Sequence, residues 1–231
     1  GALIVLNTQT IKSRIIWFTG ILFGNAAIQL LIPVPGFGAG VLTPEGCING
    51  YLDRLMIPGR LHGEIFDHEG ILCVLSASSV VIAGSLTGSF LRSGQFKQYK
   101  SILLLIIAGF IAMLVAVFLS TWYPFIKAAW TSTFNLLTIG ISLLLLAFFY
   151  LIVDIWKWQK LTFFLRVIGL NSITIYLATR IIDFRATSKF LFAGFSKWFG
   201  SYEEVILISG LLIVEWLFLY FLYKKNIFLK V

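Results

Sequence analysis

The sequence predicts an all-α fold, a polytopic transmembrane helical bundle with about six helices in these 231 residues. Three observations carry that reading. The composition is 59% hydrophobic and 12% charged, with mean hydropathy +0.95. Soluble domains carry about 25% charged residues, so this chain lacks the polar surface to face water all round. Apolar stretches at about 15–33, 71–91, 101–121, 133–156, 163–183 and 204–223 each approach the roughly 20 residues a helix needs to cross hydrocarbon. Finally, basic residues gather at alternate connections. The alternating ten-residue segments of a membrane β-barrel are not evident.

Each stretch is expected to span as a helix, because unpaired backbone groups are expensive in lipid. The first follows GALIVLNTQTI, an apolar start without an initiator methionine or the basic opening of a signal peptide. That start reads as an internal cut or the tail of an earlier helix. In the second stretch Ala77, Gly84 and Gly88, beside Ser85 and Ser89, form a strip of small residues. Such a strip suits close helix packing or lines a tunnel for an acyl carrier. Before the fourth stretch, WYPFIKAAWTSTF sets Trp122 and Trp130 at headgroup level and offers Thr131 as a helix cap. Lys127 there is a point charge able to meet an anionic ligand.

The fifth stretch is more polar than packing requires. Asn171, Ser172 or Thr174, Tyr176, Arg180 and Asp183 follow one another at about one-turn intervals. Arg180 and Asp183 are spaced to pair near the outer interface, while Asn171 and Ser172 lie deeper, facing a cavity or making interhelical hydrogen bonds. In the last stretch Glu215 is expected to face protein rather than lipid, since a carboxylate at that depth is poorly solvated.

With both ends cytoplasmic, the cytoplasmic side collects Lys12, Arg14, Arg92, Lys97, Lys100, Lys157, Lys160, Arg166, Lys224, Lys225 and Lys230 against Asp154 alone. The other side receives seven basic residues and eight carboxylates. Positive-inside bias then places the loop at about 34–70 outside the cytoplasm. The net charge of +8 is read by lipid headgroups, and no motif supports nucleic-acid binding.

That loop holds both histidines, His62 and His68, with Glu45, Asp53, Glu64, Asp67 and Glu69. A histidine beside a carboxylate can act as a general base; hydrogen bonding within an aromatic–proline lid is the other reading. HGEIFDHE lacks the HExxH spacing of a zinc helix, and no metal is expected. A disulfide between Cys47 and Cys73 would tie the loop to the second stretch.

PVPGFGAGVLTPEGCINGYLDRLMIPGRLHG, FDHEGILCVLSASSVVIAGSLTG, PFIKAAWTSTFNLLTIG, YLIVD and IGLNSITIY, in this order across about 33–176, resemble the carboxy-terminal part of the heparan-alpha-glucosaminide N-acetyltransferase-like family of polytopic membrane acyltransferases and its bacterial relatives. The resemblance implies a protein of ten or eleven helices in the bacterial cytoplasmic (inner) membrane. Such a protein would move an acetyl group from cytosolic acetyl-CoA to the amine of a terminal glucosamine, or related amino sugar, on the extracytoplasmic side. The family's catalytic histidine lies upstream of the matched region, so this chain would supply the half without the nucleophile and be inactive alone. Where relatives commonly carry asparagine before the lysine, this chain has Ile126. Its expected substrate-binding or lid residues are His62, Asp67, Glu69, Lys127, Trp130, Asn171 and Ser172. Expected partners are membrane lipid, the amino sugar, amino-terminal helices of the same protein and, as a further candidate, a second copy in a homodimer. The alternative is a noncatalytic membrane module or a transporter for an envelope sugar.

Overall fold

The computed structural model describes residues 1–229 except Gln9, Arg60, His62, Glu64 and Leu161. Its regular structure is helical, in two compact units, 1–155 and 156–231. Ile11–Leu31, Ile71–Ser93, Gln98–Leu119, Ser132–Ile155 and a segment within Phe184–Lys224 are long and apolar enough to cross a membrane. A bent pair in the second unit makes a sixth if counted as one span.

In the first unit a short helix α1 (Ala2–Asn7) precedes α2 (Ile11–Leu31), whose start is capped by Thr10 Oγ1 accepting the Ser13 N–H at 3.1 Å. Arg14 on α2 reaches Ser85 Oγ (3.0 Å) and Ser89 Oγ (3.2 Å) on α4 (Ile71–Ser93). Between them lies α3 (Ile48–Met56), which turns Ile48, Asn49 and Asp53 inward and leaves Leu55 and Met56 exposed. α5 (Gln98–Leu119) and α6 (Ser132–Tyr150) form a tightly packed hairpin, and α6 runs on as a π-helical turn, Leu151–Ile155, containing Asp154.

α5 and α6 approach each other closely. A Cβ on Gly109 would sit 2.9 Å from the Gly140 carbonyl oxygen, and one on Gly140 would sit 2.7 Å from that of Gly109. The two glycines of the expected strip do not serve this purpose: a Cβ on Gly84 or Gly88 would meet nothing within 4 Å. Those two glycines line an open groove of about 310 Å³ between α4 and α6. The glycine pair wins because each carbonyl oxygen lies against the space a Cβ on the other would fill, a feature of register that small size alone does not encode.

In the second unit the expected fifth helix is broken. α7 (Phe163–Leu170) and α8 (Ser172–Ile181) meet at Asn171 with a 67° bend. Residues 184–196, between the expected fifth and sixth spans, form a further helix, α9 (Phe184–Ser196). A 3₁₀ turn (Lys197–Tyr202), with Gly200 at φ +49°, folds α9 back along α10 (Glu203–Lys224). Ser188 Oγ donates to the Leu207 carbonyl at 2.8 Å, and a Cβ on Gly210 would overlap the Phe192 ring, so this hairpin is closely packed.

The Arg180–Asp183 ion pair is not formed among the described residues. Asp183 Oδ1 accepts the Ala186 N–H at 3.0 Å and caps α9, while Arg180 lies over the Tyr176 ring at 5.9 Å. The α8–α9 junction lies well along α10 rather than beside its first turn. The Phe184 ring packs on Phe218 with centroids 5.4 Å apart, roughly 22 Å along α10 at 1.5 Å per residue.

Candidate functional site: a buried loop clamped by amides

Two long connections of the first unit, 32–70 and 120–131, meet at one end of the helices. The second plunges inward. Lys127 O accepts the Trp130 N–H at 3.1 Å, closing a turn, and Thr131 then begins α6. As the sequence suggested, Thr131 is the cap, its Oγ1 accepting from Phe134 N at 3.4 Å; it also donates to Pro124 O at 3.0 Å. Trp130 sits at φ +47°, a left-handed conformation that is strained for a bulky residue.

Carbonyls turned inward by this loop are met by side chains from three helices. Gln29 Nε2 donates to Ala129 O (2.9 Å) and Asn49 Oδ1 (2.8 Å), and Asn49 Nδ2 also reaches Ala129 O (3.3 Å). Ser76 Oγ (2.6 Å) and Asn25 Nδ2 (3.2 Å) donate to Trp130 O. Cys73 Sγ approaches Ala128 O at 3.4 Å. Tyr123 OH donates to Gln29 Oε1 and accepts the Ser132 N–H at 3.2 Å. Asn135, fully buried, donates to Ser76 Oγ (2.8 Å) and Ser79 Oγ (3.2 Å). Because buried carbonyls without donors are costly, these amides and hydroxyls hold the strained turn in place.

The 34–70 connection closes over the same cluster, with Cys47, Phe66, Cys73 and Ala129 packed together against Ile126, Ala128 and Trp130. Both cysteines are free and buried. Asp53, 0% exposed, reaches from α3 to the start of α4, where its Oδ1 accepts the Ile71 N–H at 3.1 Å. Gly70 is required there, since a Cβ would overlap the Asp53 carboxyl. Burial pushes the Asp53 carboxyl above the ordinary carboxylate range, opposed by the N–H groups of Ile71 and Asp67. Its Oδ2, Asn25 Oδ1 and Asn135 Oδ1 are buried without a hydrogen-bond partner. Burial likewise raises the Cys47 thiol and pushes the Tyr123 phenol up to about 12, so both stay neutral at pH 7. The arrangement positions backbone and offers neutral donors and acceptors.

Of the residues expected from sequence, Asp67, Glu69, Lys127 and Trp130 belong to this unit. Asp67 is half-buried, its Oδ1 accepting the Glu69 N–H at 2.8 Å, and Glu69 is exposed. Phe66, beside Asp67, packs in the same cluster as Trp130; the Lys127 side chain is exposed. His62 lies outside the described residues. Asn171 and Ser172 belong to the other unit. Asn171 is 1% exposed and donates to the Ile227 carbonyl at 3.1 Å, while accepting from Thr174 Oγ1 at 3.2 Å. It pins the α7–α8 bend, whereas Ser172 is exposed. Among the described residues no three His, Cys, Asp or Glu side chains converge on a metal-sized point.

The sequence reading passed over Asn25, Gln29, Asn49, Ser76, Tyr123 and Asn135. The signal was present in Asn25 and Gln29, two amides spaced i,i+4 on one face of an otherwise apolar span.

Comparison with known protein families and with curated proteins finds no match for this chain. Fold and site together define a class: the chain is a polytopic, all-α integral membrane protein.

Proposed function

We propose that the chain forms part of a transmembrane acetyltransferase. It would carry an acetyl group from cytosolic acetyl-CoA to the amine of a terminal glucosamine, or related amino sugar, across a bacterial cytoplasmic membrane. One observation supports this reading above the others. The 34–70 connection, the start of α4 and the 124–131 turn, which carry most of the family resemblance, converge on a single buried cluster. Separate segments meeting at one polar point is what a shared site requires. Within it Trp130 and the exposed Lys127 would face the acceptor sugar, with Asp67, Glu69 and His62 on the covering loop. The nucleophile would come from elsewhere in the intact protein.

The test is an acetyltransferase assay on the intact protein with labelled acetyl-CoA and glucosamine-terminated oligosaccharides. The reading expects acetyl-CoA-dependent N-acetyl product, reduced more than about tenfold by Lys127→Ala or Trp130→Ala in folded protein. Variants turning over at the unaltered rate would remove both residues from the site. A second reading, a transporter or binding module for an envelope sugar, is favoured by the bent α7–α8 span and the groove at the end of α8.

A further inference from the structure

In the second unit the helical course breaks where four charged side chains share one groove. α8 ends at Ile181, Ile182 is extended (φ −105°, ψ 126°), and α9 begins at Phe184, packed beside Phe218 well along α10. Non-helical backbone within an apolar span is tolerated where it is buried in protein or lines a polar cavity. Discontinuous helices are also where membrane proteins place sites for charged ligands. This break opens on a groove of about 540 Å³ lined by Tyr176, Thr179, Arg180, Arg185 and Glu215, with Leu211 on its apolar wall. That volume lies in the range of small-molecule sites.

The charges select the ligand. Asp183 also borders the groove, but its carboxylate already caps α9. That bond leaves its charge in place, so with Arg180, Arg185 and Glu215 the lining is formally two positive and two negative. An oxyanion alone would suit the guanidiniums but meet the carboxylates, and an amine alone would meet the reverse mismatch. We infer that the groove binds a small zwitterion, with a phosphate on Arg180 and Arg185 and an ammonium at Glu215. Guanidinium groups match phosphate oxygens in geometry as well as charge. A phosphoethanolamine lipid headgroup and a soluble amino-sugar phosphate share this chemistry. The assignment does not depend on acetyl transfer.

The intact protein in mild detergent is titrated separately with phosphatidylethanolamine, phosphatidylglycerol, glucosamine 6-phosphate and inorganic phosphate, with binding read by native mass spectrometry and thermal shift. At least one zwitterion is expected to bind at least about tenfold tighter than both simple anions, and which one identifies the source. Arg180→Gln and Glu215→Gln should each weaken that binding by about tenfold or more. Arg180→Lys should weaken it less, and Arg166→Gln, in a different groove, should leave it unchanged. If Glu215→Gln fails to fold, Glu215→Asp decides, with loss of zwitterion preference expected from the shortened reach. Equal binding of zwitterions and simple anions, no zwitterion binding, or indifference to the Glu215 variant that folds overturns the assignment.

Discussion

Replacing Gln29 by leucine keeps most of the side-chain volume and removes three hydrogen bonds. Nε2 loses Asn49 Oδ1 at 2.8 Å and Ala129 O at 2.9 Å, and Oε1 loses the Tyr123 hydroxyl. Ala129 O keeps its second donor, Asn49 Nδ2 at 3.3 Å, so the stranded groups are Asn49 Oδ1 and the Tyr123 O–H. Interhelical hydrogen bonds in membrane proteins average about 0.6 kcal/mol, and buried bonds in soluble proteins reach about 1.5 kcal/mol. Three bonds therefore contribute about 2–4 kcal/mol, with the stranded groups pushing toward the upper figure. Equilibrium unfolding in mixed micelles, monitored by far-UV circular dichroism, gives the loss. Asn7→Ala serves as control, because Asn7 is exposed and bonds only within its own helix, to Leu3 O. A Gln29→Leu loss below about 0.5 kcal/mol, or equal to the control, would refute the clamp.

Three further outcomes follow from other parts of the fold. Gly109→Val should destabilise by about 1–3 kcal/mol in the same assay by forcing α5 from α6, whereas Gly84→Ala should be neutral or stabilising by up to about 1 kcal/mol; a reversed order would contradict the helix register. Because the folded Asp53 carboxyl is raised above 3.8, its penalty on folding is absent below that value and complete above the raised one. Stability of the α3–α4 contact should thus fall as pH rises through the window, and Asp53→Asn should flatten the slope in hydrogen exchange at the Ile71 amide; an unaltered slope would exclude Asp53 as its source. In whole cells, cysteine at exposed Glu69 should react with an impermeant maleimide and cysteine at exposed Gln95 should not, against a background of buried Cys47 and Cys73; labelling at Gln95 would invert the orientation.

The spans were legible because hydrocarbon imposes a length and a composition on any helix that crosses it. Thr131 was recognisable as the cap of the helix that follows it, whereas the packing of Cys47 with Phe66, Cys73 and Ala129 was not. Breaks were harder to read. Asn171 sits in a run whose hydropathy continues on both sides, and what bends the chain there is its bond to the Ile227 carbonyl, 56 residues away. α9 was hidden for the opposite reason: FRATSKFLFAGFSKWFG carries Arg185, Lys189 and Lys197, yet it packs on α10 through Phe184, Ser188 and Phe192 and leaves Phe190 and Leu191 exposed. The buried clamp is illegible for another reason. The groups that hold the 124–131 turn are amides and hydroxyls inside the helices, and each answers a backbone carbonyl that no sequence pattern displays.

Under the proposed function the two converging connections serve acetyl transfer across a membrane. The most direct measurement reconstitutes the intact protein in sealed liposomes, with labelled acetyl-CoA confined to one side and an impermeant glucosamine-terminated oligosaccharide to the other. Acetylated sugar should appear only when acetyl-CoA is on the side of Gln95 and sugar on the side of Glu69, with loss in the Trp130→Ala protein. Sugar crossing the bilayer unmodified, or no product in either orientation from correctly folded protein, would contradict it.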